Sequence, residues 1–284
     1  MIICRSRLDI ENEISKVQLQ NKKIGFVPTM GALHEGHLSL VRKSILENDV
    51  TVVSIFVNPI QFNNSEDLEN YPRTFDNDAA MLQAAGCDIV FAPTVGVMYP
   101  EGKDNLESYN FGDLESVMEG IHRPGHFNGV AVVVKRLFDL VPANNAYFGL
   151  KDFQQLAIIQ DLVRQKNIPI NIVPCEIVRE KDGLAMSSRN TRLSKEQREQ
   201  SVIISKTLFQ AKEMCNSKTI DEIKKFVIET INTVHLLCVE YFEVVDLVKL
   251  QPQKNWESNK NLIGCVAVNV GEVRLIDNII FEIK

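Results

Sequence analysis

Short runs of apolar, β-branched residues alternate with stretches of helical period as far as about Cys175. The runs KKIGFVPT (22–29), DVTVVSIFVNP (49–59), CDIVFAPT (87–94), NAYFG (145–149) and PINIVPCE (169–176) are apolar at successive positions. That pattern predicts strands buried on both faces of a parallel sheet. Between them Leu38, Val41 and Ile45 share one helical face, and Phe75, Ala79 and Leu82 share another, closed by Gly86. A third face carries Val130, Val133, Val134, Leu137, Phe138 and Val141. Their spacing at i, i+3 and i+4 predicts helices. Strand, helix, strand in this order implies right-handed βαβ crossovers and a doubly wound α/β sheet.

Beyond Cys175 the rhythm changes. LSKEQREQSVIISKTLFQA (193–211) and KTIDEIKKFVIETI (218–231) read as two successive amphipathic helices, the second opened by a capping box from Thr219 to Glu222. VEYFEVVD, GCVAVNV and VRLIDNIIFEI then have strand compositions. The expected organisation is a larger α/β domain over residues 1–176 and a smaller α+β domain over 177–284. Pro100 to Asn128, with glycines, prolines and weak periodicity, is expected to be a mobile loop over a site.

Composition narrows the classes of function. In 284 residues, 45% are hydrophobic and 24% charged, which describes a globular chain with ample core. No apolar run approaches the roughly 20 residues of a membrane span. MIICRSRLDIENEI meets charge too early for a secretory leader, and the six cysteines lack CxxC spacing, so a reducing cytoplasm is the expected location. A net charge of -6 argues against a general nucleic-acid surface.

Chemistry concentrates where strands end. In a doubly wound sheet ligands bind beyond the carboxyl ends of the strands. The KKIGFVPT strand, expected to end near Val27, runs into PTMGALHEGH. Gly31 and Gly36 allow close backbone approach, and a helix starting near Gly36 would offer unpaired N–H groups to an anion. His34 and His37 would add donors to the same anion; if it is a nucleoside triphosphate, they could stabilise charge on the α-phosphate. Glu35 suits the positive end of that helix. Two plainer readings stand beside this one. His37 could be an ordinary first-turn residue, or HEGH with His122 and His126 of IHRPGH could hold zinc, although HExxH sites space their histidines at i and i+4.

Three further stretches fit an anion site. In FGLKDFQQL, Lys151 could face phosphate and Asp152 ribose hydroxyls, or Asp152 and Gln155 could simply cap the next helix. In REKDGLAMSSRN, Ser187, Ser188 and Arg189 offer several donors for phosphates, unless the segment is only a solvated turn. In FVNPIQF, Gln61 carries an amide that both donates and accepts, and with Gln155 it suits a small hydroxylated carboxylic acid.

Together, PTMGALHEGH, FVNPIQF, YPRT, RPGHFNGV, FGLKDFQQ and REKDGLAMSSRN resemble, in this order, the motifs of the pantothenate synthetase (pantoate–β-alanine ligase) family. The resemblance implies a Rossmann-like nucleotidylyltransferase domain with a small C-terminal lid domain, a homodimer, and ATP with Mg²⁺. It implies that (R)-pantoate and ATP form a pantoyl adenylate and pyrophosphate, and that β-alanine then displaces AMP. Carried onto this sequence, Met30, Gly31, Ala32, Leu33, His34, Glu35, Gly36 and His37 match the ATP-binding turn, with His37 in the place of the proton donor. Gly149, Leu150, Lys151 and Asp152 match a second ATP segment, Val178 an adenine contact, and Met186, Ser187, Ser188 and Arg189 the triphosphate loop. Gln61 and Gln155 match the pantoate glutamines, Gln61 also lying near β-alanine. His37, His34, Lys151 and Arg189 are the expected catalytic set. Tyr71 and Arg73 match YPRT without a firm role, and whether Asp76 or Asp78 of FDNDAA approaches Mg²⁺ is left open. A nucleotidylyltransferase acting on a phosphate acceptor and a non-catalytic nucleotide sensor remain as alternatives. A tRNA synthetase does not fit the size, the acidity or the lack of a candidate tRNA-binding domain.

Overall fold

The computed structural model describes residues 1–102, 106–257 and 260–282, so part of the loop expected over 100–128, positions 103–105, lies outside the described residues. The described chain divides into two compact units. One comprises Met1–Phe111, Arg123–Leu150 and Gln155–Glu176; the other comprises Gly112–His122, Lys151–Gln154 and Ile177–Lys284.

In the first unit six parallel strands form one sheet: β1 (Ile2–Cys4), β2 (Ile24–Thr29), β3 (Val50–Ile55), β4 (Ile89–Phe91), β5 (Asn145–Gly149) and β6 (Asn171–Cys175). Their order is β1-β4-β3-β2-β5-β6, with each adjacent pair parallel. The apolar runs thus become strands because helices cover both faces: Phe26, Val27, Val52 and Val53 have no exposed surface. Chain order reverses between β2 and β5, which makes their carboxyl ends, Thr29 and Gly149, the topological switch point, the place where sheets of this kind bind ligands.

Two local expectations are corrected. β1 precedes the KKIGFVPT strand; Ile2 and Ile3 are a little under half exposed, and three residues at an edge show no periodicity to read. β2 also continues past Val27 to Thr29, because Pro28 keeps its carbonyl and extended φ while lacking only a donor.

The second unit has an antiparallel sheet, β7 (Leu237–Asp246), β8 (Leu262–Val270) and β9 (Val273–Phe281), in that order. Helix Ile220–Asn232 lays Ile223, Val227 and Ile231 on the same core as Phe242, Val266 and Phe281. Its start is the expected reciprocal box, with Glu222 N–H donating to Thr219 Oγ1 at 3.2 Å and Thr219 N–H to Glu222 Oε2 at 2.9 Å. The helix expected over 193–211 is instead two, Lys195–Gln200 and Val202–Met214. At the joint, buried Ser201 turns its hydroxyl back to the Gln197 carbonyl at 2.7 Å, the bond by which serine competes with helical amides.

The segment expected to be a mobile loop contains a 3-10 turn, Gly112–Glu115, and a short helix, Glu119–His122, and both belong to the second unit. Buried Glu119 accepts from the Arg274 guanidinium at 2.6 and 2.9 Å and from the Tyr241 hydroxyl at 2.7 Å. Gln154 closes the anchor, donating to the carbonyls of Leu114 and Val117 and accepting from Glu119 N–H at 3.0 Å. One carboxylate and one amide therefore fix a stretch that hydrophobic periodicity could not assign.

Candidate active site

The turn after β2 is framed from below by polar side chains. Thr29 Oγ1 donates to the Ser54 carbonyl on β3 at 2.7 Å and accepts from Gly31 N–H at 3.2 Å. Gly31 (φ +82°) and Ala32 (φ +49°) are then both left-handed, a conformation that an alanine holds only when its surroundings enforce it. The enforcement comes from Asp78, buried completely, whose carboxylate accepts from Ala32 N–H at 2.9 Å, Leu33 N–H at 2.8 Å and the Thr74 hydroxyl at 3.1 Å. A side chain at Gly31 would press its Cβ to 3.0 Å from Asp78 Oδ2. Leu33 closes the turn onto the core beneath.

The histidine spacing now has a physical cause. Helix Glu35–Glu47 has His34 as its N-cap and His37 at N3, a capping box built from two imidazoles in place of serine and glutamate. Gly36 N–H donates to His34 Nδ1 at 3.1 Å, His34 N–H donates to His37 Nδ1 at 3.4 Å, and the ring centroids lie 4.1 Å apart. A ring nitrogen that accepts carries no proton, so these bonds assign the proton of each neutral ring to Nε2. The expectation of unpaired amides at the helix start is thereby corrected for Gly36, whose N–H is taken by the His34 ring. The amides of Gly31, Ala32, Leu33, His34 and Gly36 are already bonded within the protein. The helix dipole still favours an anion at this end of the helix. Glu35, exposed in the first turn, pairs with Arg42 at 2.9 Å, and that hydrogen bond lowers its pKa below the usual value.

Gln61 stands in a second polar frame of the same unit. It ends the 3-10 turn Pro59–Gln61 after β3 and is buried. Asn58 Nδ2 donates to Gln61 Oε1 at 3.0 Å, Tyr99 donates to Asn58 Oδ1 at 2.7 Å, and Gln61 Nε2 meets Met30 Sδ at 3.1 Å. His126, buried, lies 2.8 Å through Nδ1 from the Gln61 carbonyl, an acceptor only, so here the proton is on Nδ1. Asn58, Tyr99 and His126 are supports whose structural role sequence reasoning did not find, although it considered His126 as a zinc ligand. The FVNPIQF and RPGHFNGV motifs contain two of them, but only contacts between residues distant in the chain reveal the frame.

RPGHFNGV also explains a glycine. A Cβ on Gly129 would come within 2.6 Å of the Ile60 carbonyl oxygen and 2.8 Å of Gln61 Cα, both backbone. Gly129→Ala is expected to destabilise the protein by about 1–3 kcal/mol through overpacking, despite a helix-propensity gain of about 1 kcal/mol. Urea denaturation checks this, and an unchanged or raised midpoint would contradict the close approach.

Other expected residues fall as follows. Gly149 ends β5, with Leu150 following, and Gln155 is half-buried on helix Phe153–Lys166, all in the first unit. Lys151 and Asp152 belong to the second unit, with Lys151 Nζ 3.6 Å from Asp152 Oδ2. Val178 and Met186 to Arg189 belong there too. The Val178 carbonyl accepts from Met186 N–H at 3.0 Å, and Ser187 Oγ caps a 3-10 turn, Ser188–Arg192, by accepting from Arg189 N–H at 3.3 Å. Arg73 of YPRT donates to the carbonyls of Leu68, Glu69 and Tyr71, closing the end of helix Ser65–Glu69, while Tyr71 is buried edge-on against Phe62.

A zinc set is not gathered. His126 is engaged with Gln61, whereas His122 belongs to the second unit, stacked on Tyr241 with Nδ1 3.7 Å from Glu240. Among the described residues no three His, Cys, Asp or Glu side chains form a metal-binding group. Among them, too, no helix is long and apolar enough to cross a membrane.

Comparisons with known proteins bear on this geometry. A family model described as Pantoate-beta-alanine ligase matches residues 2–280. A pantothenate synthetase of Bacteroides fragilis (strain YCH46) is 52% identical over 274 residues, 96% of either chain. That of Azobacteroides pseudotrichonymphae is 49% identical over 99% of this chain and 100% of its own length. The crystal structure of pantothenate synthetase from Thermus thermophilus superposes with a TM-score of 0.91 at 40% identity, over 98% of this chain and 99% of that one. A pantoate-beta-alanine ligase from Francisella tularensis, complexed with beta-gamma ATP and beta-alanine, superposes with a TM-score of 0.82 at 34% identity over 98% and 97%.

Proposed function

Because the chain belongs to the pantoate-beta-alanine ligase family, we propose that it condenses (R)-pantoate with β-alanine at the expense of ATP, through a pantoyl adenylate. A pantoate carboxylate oxygen bonds to the α-phosphorus as the bond to the bridging oxygen breaks, and pyrophosphate leaves with that electron pair. The β-alanine amine then adds to the acyl carbon, the bond to the AMP oxygen breaks, and the amine proton is lost. Pantothenate and AMP are the products. The Francisella ligase bound to an ATP compound and beta-alanine supports this substrate set.

The observation that carries the reading is the imidazole capping box at the switch point, with each neutral ring protonated at Nε2. Fixed N–H donors that need no reorganisation stabilise charge where it develops, and here that is on the phosphate oxygens. In the proposed division of labour His34 and His37 bind the phosphates, with His37 the proton donor. Met30 to His37, Gly149 to Asp152, Val178 and Met186 to Arg189 bind ATP, with Lys151 and Arg189 as counter-charges to the triphosphate. Gln61 and Gln155 bind pantoate, and Gln61 also meets β-alanine. The enzyme would work as a cytoplasmic homodimer.

Mg²⁺ fits this scheme as an ion brought by the nucleotide. The Asp78 carboxylate is spent on the turn, and the side chains of FDNDAA offer no cage. Mg²⁺ is held readily by phosphate oxygens and water, so no protein ligand is assigned.

Pantoate-dependent exchange of labelled pyrophosphate into ATP, without β-alanine, is the expected activity. Exchange driven by a nucleotide monophosphate or phosphate ester instead would favour the nucleotidylyltransferase alternative, and ATP binding without AMP release on supplying all three substrates would favour a sensor. Gln61→Ala is expected to raise the KM for pantoate about tenfold or more, the order of one lost polar contact in a buried site, and to raise that for ATP less. The opposite order in steady-state kinetics would contradict its placement.

A further inference from the structure

β9 is apolar at most positions, yet at its centre two polar side chains follow one another: Asp277 and Asn278, 3% and 5% exposed. Burying a carboxylate and an amide on a strand is costly unless every bond is satisfied, and a buried ion pair seldom adds net stability over an apolar pair. Their partners suggest what the cost serves.

Asp277 receives the Arg179 guanidinium in a fork, at 2.6 and 2.9 Å, and also accepts from Asn278 N–H at 2.8 Å. Arg179 in turn donates to the Gly183 carbonyl at 3.1 Å. It stands at the root of a small hairpin in which Arg179 bridges Ala185, Glu180 N–H meets the Leu184 carbonyl and Met186 N–H meets that of Val178. That hairpin delivers Met186, Ser187, Ser188 and Arg189. The next residue of the strand, Asn278, donates from Nδ2 to the backbone carbonyl of Lys151 at 3.0 Å. All of these residues lie within the second unit.

We infer that Asp277 and Asn278 are a pair of positioning residues that hold the Lys151 backbone and the root of the 186–189 loop on one frame, so that both cationic segments meet the triphosphate in fixed register. The inference rests on the ATP-binding role proposed above for those two segments. It follows from adjacency on a strand: neighbouring residues of β9 cannot move independently, so neither can the segments that they hold. Placing charge to within a fraction of an ångström matters in the step that transfers the adenylyl group, and much less in aminolysis of the finished adenylate.

The test compares the two half-reactions. In Asn278→Ala, pantoate-dependent pyrophosphate exchange is expected to slow at least fivefold and the KM for ATP to rise at least fivefold. The KM for pantoate, and the rate at which β-alanine consumes chemically prepared pantoyl adenylate, should change less than twofold. Arg179→Lys, which keeps the charge and loses the fork, should show the same split and serves if the alanine variant does not fold. Equal losses in both half-reactions would mean a merely structural role, and unchanged exchange in a folded variant would also overturn the inference. Wild-type protein without pantoate-dependent exchange would instead sink the proposed function, so the two failures are distinguishable.

Discussion

Replacing His37 with glutamate is expected to leave the helix start intact while slowing adenylate formation about a hundredfold or more, the usual scale for losing a positioned proton donor. Glutamate at N3 is the ordinary partner in a capping box, so it can accept from His34 N–H as the imidazole does at 3.4 Å. It carries no donor in place of Nε2–H, and its charge repels phosphate. His37→Ala loses both functions, and should therefore add a stability loss of about 1 kcal/mol to the same kinetic defect. Single-turnover rates and thermal unfolding measured on both variants separate the roles. Activity retained in the glutamate variant would remove His37 from the chemistry and leave it a cap.

Asp78→Ala should have the largest effect on stability of any single change at the turn. It strands the amides of Ala32 and Leu33, both pointing at a fully buried position, and a buried unsatisfied donor costs about 1–3 kcal/mol. A loss of about 3 kcal/mol or more in urea denaturation is the expected outcome. Ala32 has no reason to stay left-handed once the carboxylate is gone, so the histidine box should lose its register and the adenylation rate should fall as well. Asp78→Asn keeps one acceptor oxygen and should lie between. If Asp78 were instead a Mg²⁺ ligand, raised Mg²⁺ would restore activity to Asp78→Asn; the account predicts no such rescue.

Much of this was legible from sequence because the physics is local or periodic. β3 and β5 can be read from continuous apolar runs, and helix Ile220–Asn232 from its spacing and its Thr219–Glu222 box. The elements that escaped lack such signals. β1 is too short, and Ser201 breaks a helix through its own hydroxyl while the surrounding pattern stays helical. Segments 112–122 and 151–154 join the second unit through Glu119, Gln154 and Asn278, whose partners are tens of residues away or more.

The site was readable in part. PTMGALHEGH marks the turn, and the three-residue interval between histidines is the capping-box interval, a signal that was present but was weighed only against zinc spacing. Sequence reasoning expected bare amides at the helix start as the anion donors, whereas the His34 ring takes the Gly36 amide, and Thr29 and Asp78 hold the amides of the turn before it. Asp78 lies 45 residues from Leu33 in sequence, and no local pattern connects them. Arg73 likewise has a definite structural role, closing helix Ser65–Glu69, that its motif does not disclose.

The central claim is that a pantoate oxygen becomes bonded to the α-phosphorus of ATP. Pantoate labelled with ¹⁸O in both carboxylate positions, turned over with ATP and β-alanine, reads this out by mass spectrometry of the nucleotide product. The account predicts AMP carrying one ¹⁸O atom, and label appearing in inorganic phosphate or pyrophosphate, or unlabelled AMP, would contradict it.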